Sequence, residues 1–253
     1  MKKNKKSRDK KVHIQYLKPG GPAMLYGQMP DYILERFIKL SEDVLEKKHT
    51  EWNPSLVGRI YDEWKIPELL YKDYKLDTFI DEAIYKYVET NIHEFMQIRN
   101  LHYRHKELPK INIQVKRGDG WFNSMKEGEY NPTHIHTNCD ISSVWYINDY
   151  TGDNIDNKTN KVPPDGCTEF LIKSSPNGAV ISQTGQNNPP LISDGIKEIS
   201  HVTMKPQAGD FVIFPHWLMH TAYPFKGKGR RITSSINYGF RANYISGPKD
   251  LYQ

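Results

Sequence analysis

The chain has 253 residues, 37% of them hydrophobic and 12% aromatic, with 35 Lys+Arg against 30 Asp+Glu and a net charge of +5. Residues 1–11 alone carry a net +6 and the remainder stands at −1, which excludes a broad nucleic-acid-binding face, since that needs bases clustered on the fold itself. The apolar content excludes overall disorder. No run approaches eighteen apolar residues, and the only two cysteines, Cys139 and Cys167, exclude a disulfide framework or a multi-cysteine zinc site.

Residues 1–22 are expected to form a basic, disordered tail and loop. MKKNKKSRDKK lacks the apolar run of a secretory signal, and Pro19, Gly20, Gly21 and Pro22 interrupt any helix. With only two cysteines, a reducing, cytoplasmic setting is expected. After Pro30 the pattern becomes helical: Ile33, Leu34, Phe37, Ile38, Val44 and Leu45 fall on one stripe, with Asp31 placed to cap it. Residues 51–76 mix Trp52, Trp64 and several tyrosines with short breaks. A longer amphipathic helix follows Asp77, its buried face formed by Phe79, Ile80, Ala83, Ile84, Tyr87, Val88, Ile92, Phe95 and Met96. Residues 23–107 thus form a helical unit whose role is scaffold.

From residue 108 the period changes. INIQVK, SSVWYIND, TEFLIK, SHVTMK, GDFVIFP and RRITSSINYGF are short, β-branched and aromatic, with Gly, Pro, Asn and Asp between them. This predicts an all-β sandwich or barrel over 108–253, not βαβ units. Residues 175–198 are too polar and broken for core and are expected to form a long loop, a common form of active-site lid.

Histidines carry the chemical signal. His134 and His136 in NPTHIHTNCD lie at His-x-His spacing, so an extended backbone turns both to one face, where they can chelate one metal. His220 follows the apolar strand GDFVIFP. Eleven residues later Arg231 opens a strand in which Arg231, Thr233, Ser235 and Asn237 share one face, polar enough to line a pocket. Arg230 then faces solvent. His13, His49, His93, His102, His105 and His201 are expected to be surface or packed residues without chemistry, and His216 to be turned outward at Pro215. Cys139 is expected to act as a small buried hydrophobe.

An early His pair, a late His and a basic residue on the next strand suit a facial metal site with an anchor for a 2-oxo acid. WFNSMKEGEYNPTHIHTNCDISSVWYI, followed by GDFVIFPHWLMHTAYPFKGKGRRITSSIN, resembles the Fe(II)/2-oxoglutarate-dependent dioxygenases, and among them the small bacterial and phage group related to prolyl hydroxylases. The resemblance spans roughly residues 110–243. It implies a double-stranded β-helix (jelly-roll, cupin-like) oxygenase domain preceded by N-terminal helices that buttress one sheet, in a host cytoplasm if the chain is phage-encoded. It implies Fe(II), 2-oxoglutarate and dioxygen, with ascorbate as a possible addition. The activity it implies is hydroxylation, with succinate and carbon dioxide as co-products and peptidyl proline as the substrate by analogy only. His134 and His220 map onto the metal ligands and Arg231 onto the co-substrate anchor, these three carrying the catalysis. Thr233, Tyr146 and Asn123 map beside the co-substrate.

The family's first ligand motif is usually His-x-Asp or His-x-Glu, and His136 stands at the acidic position. Three readings are open: His136 completes a three-histidine site, Asp140 swings in as the carboxylate, or His136 leads and His134 stands outside. The first is preferred. Two rival functions remain: a three-histidine jelly-roll enzyme that does not use 2-oxoglutarate, and a non-catalytic binding or structural jelly-roll. Expected partners are the small-molecule co-substrate and a protein or small-molecule primary substrate, with no membrane. Nucleic acid is expected only through the basic tail. Specificity is expected from 175–198 and 51–76.

Overall fold

Strand-forming segments from Lys110 onward pair into two antiparallel sheets in the computed structural model, which describes residues 14–17, 23–47, 50–52, 56, 58–103, 110–148, 165–172 and 201–246. The tail at 1–11 and the expected loop at 175–198 lie outside the described residues. The elements are β1 (Ile14–Leu17), β2 (Met24–Gln28), α1 (Asp31–Lys47), β3 (Glu63–Lys65), α2 (Glu68–Asp73) and α3 (Asp77–Tyr103). Then follow β4 (Lys110–Met125), β5 (Asn131–His134), β6 (Ile141–Tyr146), β7 (Thr168–Leu171), β8 (His201–Met204), β9 (Asp210–Pro215), β10 (Met219–Ala222) and β11 (Arg231–Ser246).

The larger sheet has the order β1-β2-β9-β6-β11-β4-β3, and the smaller β5-β10-β7-β8. The eight strands β4 to β11 therefore divide between two four-stranded sheets, β9-β6-β11-β4 and β5-β10-β7-β8, which is the double-stranded β-helix topology. β1, β2 and β3 extend the larger sheet at its two edges. They lie in segments whose sequence suggests tail, loop and helix. Three to five residues long, they take their stability from pairing, β2 with β9, β1 with β2 and β3 with β4, and not from a pattern of their own.

β6 is buried along its whole length and β9 along all but its last residue, because each sheet face is covered. The helices pack on the outer face of the larger sheet. Ile33, Phe37 and Leu40 of α1 and Ile80, Ile84 and Val88 of α3 meet Phe122, Trp145, Phe211, Ile213 and Ile236 of the strands. Trp145 stacks on Phe211 with centroids 4.5 Å apart and on Phe37 at 5.7 Å. A polar tie fixes α3 on the sheet: Arg117 donates to Asp81 at 2.6 Å and to the Tyr238 hydroxyl at 3.0 Å, while that hydroxyl donates to Asp81 at 2.7 Å. The inner face packs Met24, Val144, Tyr146, Val212 and Phe214 against Phe170 of the smaller sheet.

Both helix starts fall one residue earlier than expected. The Pro30 carbonyl accepts from Leu34 N–H and the Leu76 carbonyl from Ile80 N–H. Asp31 and Asp77 thus occupy the first helical turn, where a carboxylate favours the positive end of the dipole. Phe95 departs from the buried stripe of α3 and is 54% exposed. No helix among the described residues is long and apolar enough to cross a membrane.

Candidate metal centre

β5 ends at His134, and β10 sets His220 directly opposite it in register. His136 lies two residues beyond the strand, where its N–H donates to the His216 carbonyl at 3.0 Å and its carbonyl accepts from His216 Nδ1 at 3.0 Å. The three imidazoles converge. Ring centroids are 4.3 Å apart for His134–His220, 5.1 Å for His136–His220 and 5.4 Å for His134–His136. One ligand nitrogen from each lies within 4.8 Å of the others, and this is the one such group of His, Cys, Asp or Glu among the described residues.

The tautomers follow from the acceptors. Nδ1 of His134 meets the Pro132 carbonyl at 2.7 Å, and Nδ1 of His220 meets the Leu218 carbonyl at 2.9 Å. A carbonyl can only accept, so both Nδ1 atoms carry the proton and both Nε2 lone pairs are left for a ligand. His136 Nε2 lies 3.2 Å from His220 Nε2. Two ligands about 2.1 Å from one ion and at right angles sit ~3 Å apart, so this pair already has that separation. Burial lowers the pKa of all three rings: His134 moderately, His136 to about 3 with the charge of His134 adding, and His220 well below its usual value. All three are therefore neutral at pH 7, as ligation requires.

Asp140 takes no part in this cluster. It is exposed, and its Oδ2 accepts from Phe240 N–H at 2.9 Å, tying the β5–β6 connection to β11. Arg230 faces outward as expected but is paired with Asp62 at 2.7 Å and also donates to Ser124. The Cys139 thiol is half-buried and pushed up to about 11 by burial and then by Asp140. His13, His49 and His105 lie outside the described residues.

Arg231 enters the space between the sheets and is only 4% exposed. Its Nη2 donates to Thr168 Oγ1 at 2.8 Å, and the same oxygen accepts from the Tyr146 hydroxyl at 2.8 Å. The guanidinium lies 5.3 Å from the Tyr146 ring centroid, and its Nε has no hydrogen-bond partner among the described residues. With both lone pairs of Thr168 Oγ1 engaged, its own O–H is left to donate. A buried cation with spare donors around it is costly unless an anion completes it. A carboxylate suits this set, and a guanidinium binds one bidentately. Farther along β11, Thr233 and Ser235 accept from Asn123 Nδ2 at 3.4 and 3.2 Å, while Asn123 Oδ1 accepts from Trp121 Nε1 at 3.1 Å. The Trp121 ring stacks on His136 with centroids 5.7 Å apart.

Two residues in this arrangement are absent from the expectations. Thr168 shares a strand face with Phe170 by alternation, and Trp121 shares one with Asn123. That period-two relation is the signal that could have found them.

Glu63 faces the same side of the sheet as Asn123, its partner in register. Burial, and then the charge of Glu129, raises its carboxyl to about 8 from an ordinary 4.5. The folded chain therefore holds a proton that the unfolded chain releases from pH 4.5 upward. Stability should fall as pH rises through that window, by on the order of a few kcal/mol. Glu63→Gln should remove that slope, and urea unfolding from pH 5 to 8 should show the variant gaining on the wild type toward pH 8. Parallel pH profiles would refute this.

Residues 119–237 match the model of the family described as putative 2OG-Fe(II) oxygenase. No curated protein matches the sequence. Among solved structures, an oxidoreductase of the 2OG-Fe(II) oxygenase family from Burkholderia pseudomallei is similar at 11% identity and TM-score 0.32, over 51% of this chain and 46% of its own, so the chain spans less than half of that protein. A Pseudomonas putida prolyl-4-hydroxylase is similar at 10% identity and TM-score 0.45, over 91% of both chains. A Trichoplax adhaerens prolyl hydroxylase in complex with a hypoxia-inducible-factor peptide fragment is similar at 13% identity and TM-score 0.48, over 87% of this chain and 83% of its own.

Proposed function

We propose, on the premise that the matched core is that of a 2-oxoglutarate/Fe(II)-dependent oxygenase, that the chain hydroxylates an organic substrate. His134, His136 and His220 would hold the iron, and Arg231 would anchor the co-substrate. The observation that carries this reading is the buried Arg231 guanidinium, with its spare Nε and the Thr168 hydroxyl beside it, in the same sandwich as three neutral imidazoles. A three-histidine enzyme that does not use 2-oxoglutarate would leave that guanidinium without an anion.

When bound, Fe(II) and 2-oxoglutarate supply the oxidising power for hydroxylation by dioxygen, with succinate and carbon dioxide as co-products. The chain's own residues prepare the site. The Pro132 and Leu218 carbonyls fix two rings with Nε2 presented inward. Arg231 pairs with the distal carboxylate of 2-oxoglutarate, and the Thr168 hydroxyl adds a donor. Phe170, Phe214 and Trp121 wall the histidines and exclude water. His136 in place of a carboxylate leaves the site one charge more positive, which favours an anionic co-substrate. Peptidyl proline is the first primary substrate to try, by analogy alone, and the setting in which the enzyme would work is the cytoplasm.

The test is succinate release from 2-oxoglutarate in air. Release should depend on Fe(II), stop on chelation and rise with an accepted substrate, proline peptides being tried first. Absence of release, or release indifferent to iron, would contradict the proposal.

A further inference from the structure

We infer that Trp121, held by Asn123, is a positioning residue for the imidazole of His136. The inference rests on the proposal that His136 is a metal ligand, and it concerns what fixes that ring in place.

The three histidines are not held alike. His134 and His220 each donate from Nδ1 to the carbonyl two residues before them, so their own strands orient them. His136 lies outside β5, which ends at His134, and follows Ile135, which is exposed. Its main chain is engaged by His216 on both sides. Among the described residues its ring has no carbonyl tether of the kind the other two have. The ring relies instead on side chains far away in sequence: Phe214, which meets it edge-on at 6.1 Å, and the indole of Trp121, which stacks on it at 5.7 Å and 29°.

Trp121 is itself fixed. It is 4% exposed, and its Nε1 donates to Asn123 Oδ1 at 3.1 Å. The other end of that amide donates to Thr233 and Ser235 on β11. Both ends of Asn123 are therefore occupied within the protein, and its place is to lock the indole plane. The order is Thr233 and Ser235, then Asn123, Trp121 and His136, so the strand that carries Arg231 also sets the angle of the third imidazole. A carboxylate ligand would offer two equivalent oxygens and tolerate rotation. An imidazole offers one lone pair in one direction, so a ring outside a strand needs such a support.

Metal-free protein titrated with Co(II), whose visible absorption reports ligand number and geometry, tests this directly. Wild type should bind one equivalent with a visible band. Trp121→Leu should weaken binding about 10–100-fold, the usual cost of losing a partner that orients a ligand, and should alter the band. Trp121→Phe, which keeps a stacking face but loses the Nε1 donor to Asn123, should fall between wild type and Trp121→Leu. If Trp121→Leu does not fold, judged by thermal unfolding of the metal-free protein, Asn123→Ala, which frees the indole, is read in the same way. Wild-type affinity and spectrum in the variant that folds would overturn the inference and leave the metal site standing. No Co(II) binding by wild type would overturn both.

Discussion

His220→Ala should abolish high-affinity metal binding and all turnover of 2-oxoglutarate, while the metal-free protein still unfolds cooperatively. His220 is the hub of the cluster, 3.2 Å from His136 Nε2 and opposite His134 in register. Without it the two remaining nitrogens stand on a loop and a strand end, too few to hold iron in competition with water. The expected loss of affinity exceeds the roughly 10–100-fold that follows loss of an orienting partner. The ring packs against both Phe170 and Phe214, so truncation leaves an apolar gap, but it also removes a buried polar group. Metal content after desalting, read beside the thermal unfolding of the metal-free form, separates loss of a ligand from loss of the fold. Iron bound at wild-type affinity in this variant would remove His220 from the site.

Arg231→Met should have the second large effect, and it should divide stability from function. The buried guanidinium donates from Nη2 to Thr168, and its Nε has no partner among the described residues. In the absence of an anion, an apolar side chain of similar length should be neutral or stabilising. With 2-oxoglutarate the sign reverses. Truncating one partner of a buried charge pair costs about 2–5 kcal/mol, which is roughly 30- to 4,000-fold in affinity. Metal-loaded wild type should therefore gain in Tm on addition of 2-oxoglutarate, and the variant should not. Arg231→Lys should fall between, since an ammonium keeps the charge and loses the bidentate fork. A variant stabilised by 2-oxoglutarate as strongly as wild type would show that the anchor lies elsewhere.

What the sequence made legible depended on whether a residue's role was set by its neighbours along the chain. The strands at β6, β9 and β11 announce themselves because both faces or a clear alternation are written in consecutive residues. Arg231 and Thr233 could be placed on an inward face because period two follows from extended backbone alone. β10 is harder to see, since MHTA keeps His220 and Thr221 buried and no apolar run marks it. Similarly, β3 is three residues that exist as a strand because Trp121, Phe122 and Asn123 run beside them on one side and Glu51 bridges to Trp64 on the other.

The choice between His136 and Asp140 lay beyond local pattern. They stand four positions apart, and what places them differently is β11, about a hundred residues later. Its Phe240 N–H captures the Asp140 carboxylate, and its Thr233 and Ser235 hold the Asn123 amide that ties Trp121 against the His136 ring. Thr168 escaped for the same reason. In TEFLIK it is an ordinary β-branched residue, and only its meeting with Tyr146 and Arg231 gives it a place in the pocket.

The most direct test of a three-histidine iron site served by Arg231 is a visible spectrum taken without oxygen. Metal-free protein should show no band with Fe(II) or 2-oxoglutarate alone and a metal-to-ligand charge-transfer band with both. The band should be lost in His220→Ala, and at the same co-substrate concentration in Arg231→Met. A wild-type protein that gives no band with both present would contradict the account.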